Sequence, residues 1–197
     1  MSYRDEMAQK TKEKIMMIAA DLFEQNGYDN VSVSEIIRAA KISNGCFYGH
    51  FKNKEALLNS TVIYVDQYYL EYYNNVLCGE ENADKNALIK LKMFMKTTSQ
   101  VITQKGPADF RLYMAHAIRN PELLSQNDRN YTKILQELIL ECRKNHLIND
   151  MYNNLQLTQM LLFINRGIAI EWSLQNGSYP ITETDELIDI FLEQIKA

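Results

Sequence analysis

Apolar residues recur at the i, i+3, i+4 spacing of a helix along nearly the whole chain, and few residues interrupt them. Ile15, Ile18, Ala19, Leu22 and Phe23 set the pattern near the amino terminus, and Leu187, Ile188, Phe191, Leu192 and Ile195 repeat it near the other end. That spacing gathers one face of each helix for burial. With only 7 Gly and 3 Pro in 197 residues, the helix stops can be located singly. Gly27 follows the first pattern where a C-terminal cap belongs, and Gly177 follows the longest apolar segment. Gly106–Pro107 and Asn120–Pro121 each read as a stop and a restart, because proline suits the first turn of a helix. No segment alternates convincingly with a period of two, so the expected fold class is all-α, with about nine helices.

The first helix is expected over Thr11–Asn26. Ser32 and Glu35 form an S-x-x-E capping box, with Val31 and Ile36 placed as its hydrophobic staple, so a second helix starts at Val33 and buries Ile36, Ile37 and Ala40. Lys41 to Ser43 interrupt it. Ser43 caps a very short third helix carrying Phe47 and Phe51, and Asn53 caps a fourth that keeps its period to about Leu77. Further helices follow over Lys85–Gln104, Pro107–Arg119, Pro121–His146, Leu155–Leu174 and Thr184–Ile195. The Leu155–Leu174 segment is apolar nearly all round, so it needs cover on more than one side. This pattern divides the chain into a three-helix head, residues 1–53, and a larger helical body, residues 54–197.

Composition removes several function classes. The net charge is −4, and residues 1–60 are balanced with eight basic and eight acidic side chains, so the deficit lies in the body. A nucleic-acid partner therefore has to be argued from a motif and not from bulk charge. Cys46, Cys78 and Cys142 are odd in number and widely spaced, which fits reduced thiols better than a disulfide framework or a zinc site. No uninterrupted apolar stretch, Met160 to Ile164 included, is long enough to span a membrane, and the charged amino terminus has no secretory pattern. A cytoplasmic protein is expected. No HExxH, phosphate loop, dinucleotide fingerprint, nucleophile elbow or Glu-x-x-His pair is present, so neither an enzyme nor a cofactor or metal is expected.

Three short helices on a small core, the third preceded by a tight turn, are the arrangement that lays a recognition helix in the DNA major groove. The segment VSVSEIIRAAKISNGCFYGHFKNKEALL, Val31 to Leu58, closely resembles the DNA-binding domain of the TetR family of bacterial regulators. The residues that carry the resemblance are Phe47, Tyr48, His50, Phe51, Lys54, Leu57 and Leu58. The resemblance implies phosphate contacts from Ser32, Tyr48 and Lys54. It also implies base-edge positions at Asn44, Gly45, Cys46 and Gly49, with Ser34 and His50 assisting. Asn44 is the strongest base reader of these, because a carboxamide pairs bidentately with adenine. Two residues depart from the family pattern. Lys41 stands in the turn where relatives often have glycine, and a left-handed backbone there costs a non-glycine residue about 1 to 2 kcal/mol. Gly49 replaces a larger side chain, which shifts the expected readout toward DNA shape.

Beyond Leu58 the resemblance is one of layout. It implies a homodimer formed by Leu155–Leu174 and Thr184–Ile195, and a body that encloses a ligand. The aromatic and apolar bias of the body points to a hydrophobic or amphipathic small molecule. Tyr64, Tyr68, Phe94, Phe110, Tyr113, Met114, His116 and Phe163 are the candidate ligand contacts. The expected function is a ligand-responsive regulator, with repression the expected sign, that binds a palindromic site on double-stranded DNA. The alternative is an architectural DNA-binding protein with the same head and no small-molecule response.

Overall fold

The computed structural model describes residues 3–121 and 129–197, without the side chains of Glu24, Thr61, Val62, Ile63, Tyr64 and Lys105. Nine α-helices stand among the described residues. They are α1 (Tyr3–Asn26), α2 (Val33–Ala40), α3 (Asn44–His50), α4 (Lys54–Tyr72), α5 (Ala87–Lys105), α6 (Pro107–Arg119), α7 (Asn130–Lys144), α8 (Asn154–Leu174) and α9 (Asp185–Gln194). An isolated antiparallel bridge joins Ile148 to Lys196, and no strand is found among the described residues.

Most helix ends lie where the capping chemistry puts them. Asn53 accepts from the amide of Ala56 at 2.7 Å, and Asn86 accepts from that of Ile89 at 3.0 Å. Asn153 and Gln156 form a reciprocal capping box at the start of α8. Two ends differ from expectation. Helix α1 begins eight residues before Thr11, because Tyr3 to Lys10 are exposed and have no buried face to betray them by periodicity. Their local bonds are helical, with the Thr11 hydroxyl donating to the Met7 carbonyl at 2.8 Å. Helix α4 stops as an α-helix at Tyr72, and Tyr73–Leu77 continue as one π-helical turn. The helix expected over Pro121–His146 is seen from Asn130 to Lys144, and residues 122–128 lie outside the described residues.

Packing divides the chain into two compact units, residues 1–64 with 112–123 and residues 65–111 with 124–197. Helices α4 and α6 thus each contribute residues to both. The first unit is built on Ile15, Ala19, Phe23, Val31, Ile36, Phe47, Phe51 and Leu57, with Leu112 of α6 packed against them. In the second, α5 packs against α7, α8 and α9. Its centre is aromatic. Tyr69, Phe94 and Tyr131 meet with ring centroids 4.7 to 6.0 Å apart, the usual range for attractive ring pairs.

Polar ties fix α5 and α9 in this unit. The Ser99 hydroxyl donates to Asp185 at 2.7 Å, and Asp189 pairs with Lys92 and Lys96 at 2.9 and 3.0 Å. Among the described residues, no helix is long and apolar enough to cross a membrane. Cys46, Cys78 and Cys142 are all free thiols.

Candidate nucleic-acid interface

The head is shaped by three caps. At the start of α2 the Ser32 side chain accepts from the Glu35 amide at 3.2 Å, while the Glu35 carboxylate accepts from the Ser32 amide and hydroxyl, each at 2.7 Å. The Ser32 backbone bond and then its hydroxyl bond hold the Glu35 carboxyl below the usual carboxylate range. At the end of α2, Lys41 adopts φ 55 and ψ 48, a left-handed cap whose amide bonds back to Arg38 at 3.2 Å. The turn therefore keeps its glycine-like shape with a lysine in it. Ser43 then caps α3 by accepting from the Cys46 amide at 3.1 Å.

Those caps leave α3 with two unlike sides. Phe47 and Phe51 are enclosed, and their rings lie 5.6 Å apart. Asn44, Gly45, Tyr48 and Gly49 form one continuous exposed arc, while Cys46 and His50 are half-buried on its flanks. The structure thus brings together the base-edge positions expected from the sequence. A side chain added at Gly49 would meet nothing within 4 Å, and one at Gly45 would meet only the Ser43 hydroxyl at 3.9 Å. Nothing inside the chain requires either glycine. Ser32 and Ser34 are exposed on α2.

Lys54 also makes contacts within the head. Its ammonium donates to the carbonyl oxygens of Tyr28 at 2.6 Å and Val31 at 2.9 Å, and it lies 4.1 Å from the centre of the Tyr28 ring. The sequence reading missed this role, since Tyr28 and Lys54 are far apart in the chain and carbonyl oxygens leave no mark in a residue pattern. Lys12, whose ammonium stands 6.0 Å from the Phe51 ring beside the end of α3, was missed for the same reason.

The family model for bacterial regulatory proteins of the tetR family matches residues 15–61, which span the second half of α1 through the first turns of α4. Residues 15–61 thus match a TetR-family DNA-binding segment. Relatives that it matches over most of their length are transcriptional regulators. All nine candidate DNA contacts, Ser32 to Lys54, fall inside the matched segment. The transcriptional regulator UidR of Escherichia coli strain K12 is 23% identical over 167 residues, 83% of this chain and 82% of UidR. The transcriptional repressor NemR of the same strain is 22% identical over 178 residues, 87% of this chain and 88% of NemR. In fold, the chain is similar to the fatty acid degradation regulator FadR from Bacillus halodurans, with a TM-score of 0.76 and 20% identity. That match covers 92% of this chain and 93% of FadR.

The candidate ligand residues fall in both units. Tyr68, Phe94, Phe110 and Phe163 belong to the second unit, and Tyr113, Met114 and His116 to the first. The Tyr64 side chain lies outside the described residues. Phe94 is fully enclosed, Tyr68 and Phe110 are half-buried against the same core, and Phe163 is 65% exposed on the outside of α8. Phe163 therefore lines no interior space. His116 is buried, with Nε2 against the Asn59 amide oxygen and Nδ1 3.3 Å from the Asn120 amide nitrogen. Helical spacing assigns a residue to a face without saying which faces meet.

The structure shows a polar group that spacing did not mark. Asn165, buried in the most apolar helix, directs its amide at the Tyr131 hydroxyl at 2.6 Å and the Thr98 hydroxyl at 3.1 Å. An asparagine inside an otherwise apolar run was the available signal. A surface cavity of about 230 Å³ is lined by Gln136, Leu140, Asn154, Leu155 and Thr158 of α7 and α8, none of them in the candidate set. Among the described residues, no cluster of His, Cys, Asp and Glu is arranged to hold a metal ion.

Proposed function

We propose that the chain is a cytoplasmic repressor that binds an inverted-repeat operator as a homodimer and is released by a hydrophobic or amphipathic small molecule. The exposed arc of α3 carries this reading. It presents Asn44 and Tyr48 beside two glycines while Phe47 anchors the opposite side. In this reading residues 1–53 bind DNA and residues 54–197 dimerise and sense the ligand. Asn44 reads a base edge, Gly45, Cys46 and Gly49 allow the helix close to the bases, and Ser34 and His50 assist. Ser32, Tyr48 and, through its third N–H donor, Lys54 hold phosphates.

Dimerisation is supported by the outer face of α8 and α9. Phe163, Ile170 and Leu174 are 65%, 37% and 69% exposed, and Leu187 and Ile190 are 52% and 58% exposed. Gly167 lies within the α8 stripe, and a side chain built there meets nothing within 4 Å. Mid-helix glycine costs about 1 kcal/mol relative to alanine, so close approach by a second helix gives it a reason. A two-fold dimer pairs with an inverted repeat. Repression is supported by the name of NemR, and an apolar effector by the regulation of fatty acid degradation by FadR.

The test is selection of bound duplexes from fragmented source DNA, followed by titration of Asn44→Ala and Tyr48→Phe against the selected and a scrambled duplex. Inverted repeats should be enriched. Asn44→Ala should lose about 1 to 3 kcal/mol per half-site on the selected duplex and little on the scrambled one. Tyr48→Phe should weaken both alike. Equal losses on both duplexes for Asn44→Ala would mean that α3 does not read bases.

A further inference from the structure

We infer that Lys41, in the turn between α2 and α3, is a phosphate contact, kept in a strained backbone position for the charge it carries to the DNA. The turn is fixed without its side chain. The Lys41 amide donates to the Arg38 carbonyl and the Ile42 amide to the Ile37 carbonyl, each at 3.2 Å, the paired bonds of a Schellman ending. Ile37 and Ile42 both pack against the core of the head. These contacts call for a left-handed residue between them, and Lys41 takes φ 55 and ψ 48. Glycine would adopt that backbone without steric cost.

Strain at a residue type unsuited to it is a reason to look for a use of the side chain. Among the described residues, the non-glycine positions with positive φ are Lys41, His146 and Asn176. Histidine and asparagine are enriched in that region of backbone space, and lysine is not. Lys41 is exposed, and among the described residues its ammonium has no hydrogen bond or ion pair. The carbonyl end of α2 attracts a cation, but Arg38 already stands in its last turn.

The surroundings supply the partner. From Ser43 to Phe51 the chain has no lysine or arginine, so α3 itself brings no such cation to the groove. Lys41 stands two residues before the Ser43 cap and Lys52 one residue after the Phe51 cap, both exposed. A helix in the major groove lies between phosphate backbones, and cations at its flanks fix its register without reading sequence.

This inference rests on the reading of the head as the DNA-binding part, and the experiment separates the two. Full-length Lys41→Gly, Lys41→Asn and Lys41→Arg are titrated against a duplex selected by the wild-type protein and against a scrambled duplex, at several salt concentrations. Glycine and asparagine accept the left-handed turn without the charge, and arginine keeps the charge. Lys41→Gly and Lys41→Asn should bind both duplexes about five- to tenfold more weakly per half-site, with a salt slope shallower by about 0.9 per subunit. Lys41→Arg should keep the wild-type slope. Weaker binding from Lys41→Gly in a head no less stable to denaturant is a combination that a purely structural role would not give.

An unchanged slope in Lys41→Gly and Lys41→Asn would overturn the inference, and so would a loss confined to the selected duplex. An equal fall in slope for Lys14→Gln, which removes an exposed charge from α1, would assign the change to bulk charge and overturn it as well. A wild-type protein that selects no duplex would remove it together with the reading of the head. Should Lys41→Gly fail to fold, the slope and affinity of Lys41→Asn decide.

Discussion

Asp66 of α4 caps α7, its carboxylate accepting from the backbone amide of Asn130 at 2.8 Å. The same group accepts from the Tyr131 amide at 3.2 Å and pairs with Arg129 at 3.3 Å, both charged side chains being only about 15% exposed. The cap residue of α7 itself, Arg129, offers no side-chain bond. A helix that begins at Asn130 therefore depends on a carboxylate from another helix to satisfy its first amides.

Asp66→Ala should destabilise the protein by about 1 to 3 kcal/mol, combining a lost cap with an arginine left half-buried and unpaired. Asp66→Asn, which keeps an acceptor oxygen, should lose less. Denaturant unfolding of the two variants beside the wild type measures the difference. Equal stability of Asp66→Ala and wild type would show that α7 starts without the cap.

Lys41 stands in a left-handed backbone with its side chain exposed. Glycine takes that conformation without steric cost, although it adds freedom to the unfolded chain. Lys41→Gly should therefore stabilise the head by roughly 0.5 to 1 kcal/mol. A raised midpoint in denaturant, with unchanged slope, is the expected result. A lowered midpoint would mean that the Lys41 side chain contributes more than its backbone strain costs.

Burial raises the Asp185 carboxyl above its usual value, against the opposing Ser99 hydrogen bond and the nearby Lys96. Folding therefore favours the protonated acid. That contribution is fully present below the unfolded value and is lost as pH rises through the raised folded one. Asp185→Asn keeps an acceptor for Ser99 without the charge. It should be more stable than wild type at neutral pH, and the advantage should shrink as the pH is lowered through the Asp185 titration. Thermal unfolding across pH 3 to 8 checks this, and an advantage that grows toward acid would reverse the assignment.

Gly167→Ala separates the monomer from the assembly. Within one chain the added methyl meets nothing and improves helix propensity by about 1 kcal/mol, so the isolated chain should gain stability. In the proposed dimer the same methyl stands where a second helix approaches, so self-association should weaken. Sedimentation across a dilution series, together with unfolding at the lowest concentration, reads both effects. Undiminished association would place the interface elsewhere than the outer face of α8.

The sequence by itself determined an all-helical chain, because apolar spacing and rare breakers act locally and leave little choice of secondary structure. It also determined the head's caps and the inward side of α3, since Ser32, Ser43 and Asn53 bond within three residues of themselves and Phe47 and Phe51 share one face. Tertiary structure alone decided what long-range contacts decide. Lys54 turned to the Tyr28 and Val31 carbonyls, His116 met Asn59, and Phe163 faced outward while Asn165 of the same helix was buried. The difference is physical. A cap or an amphipathic face depends on residues within one or two turns, which the sequence lists in order. Which face meets which, and where an ammonium finds two carbonyl oxygens, depends on distances that close only when the whole chain has packed.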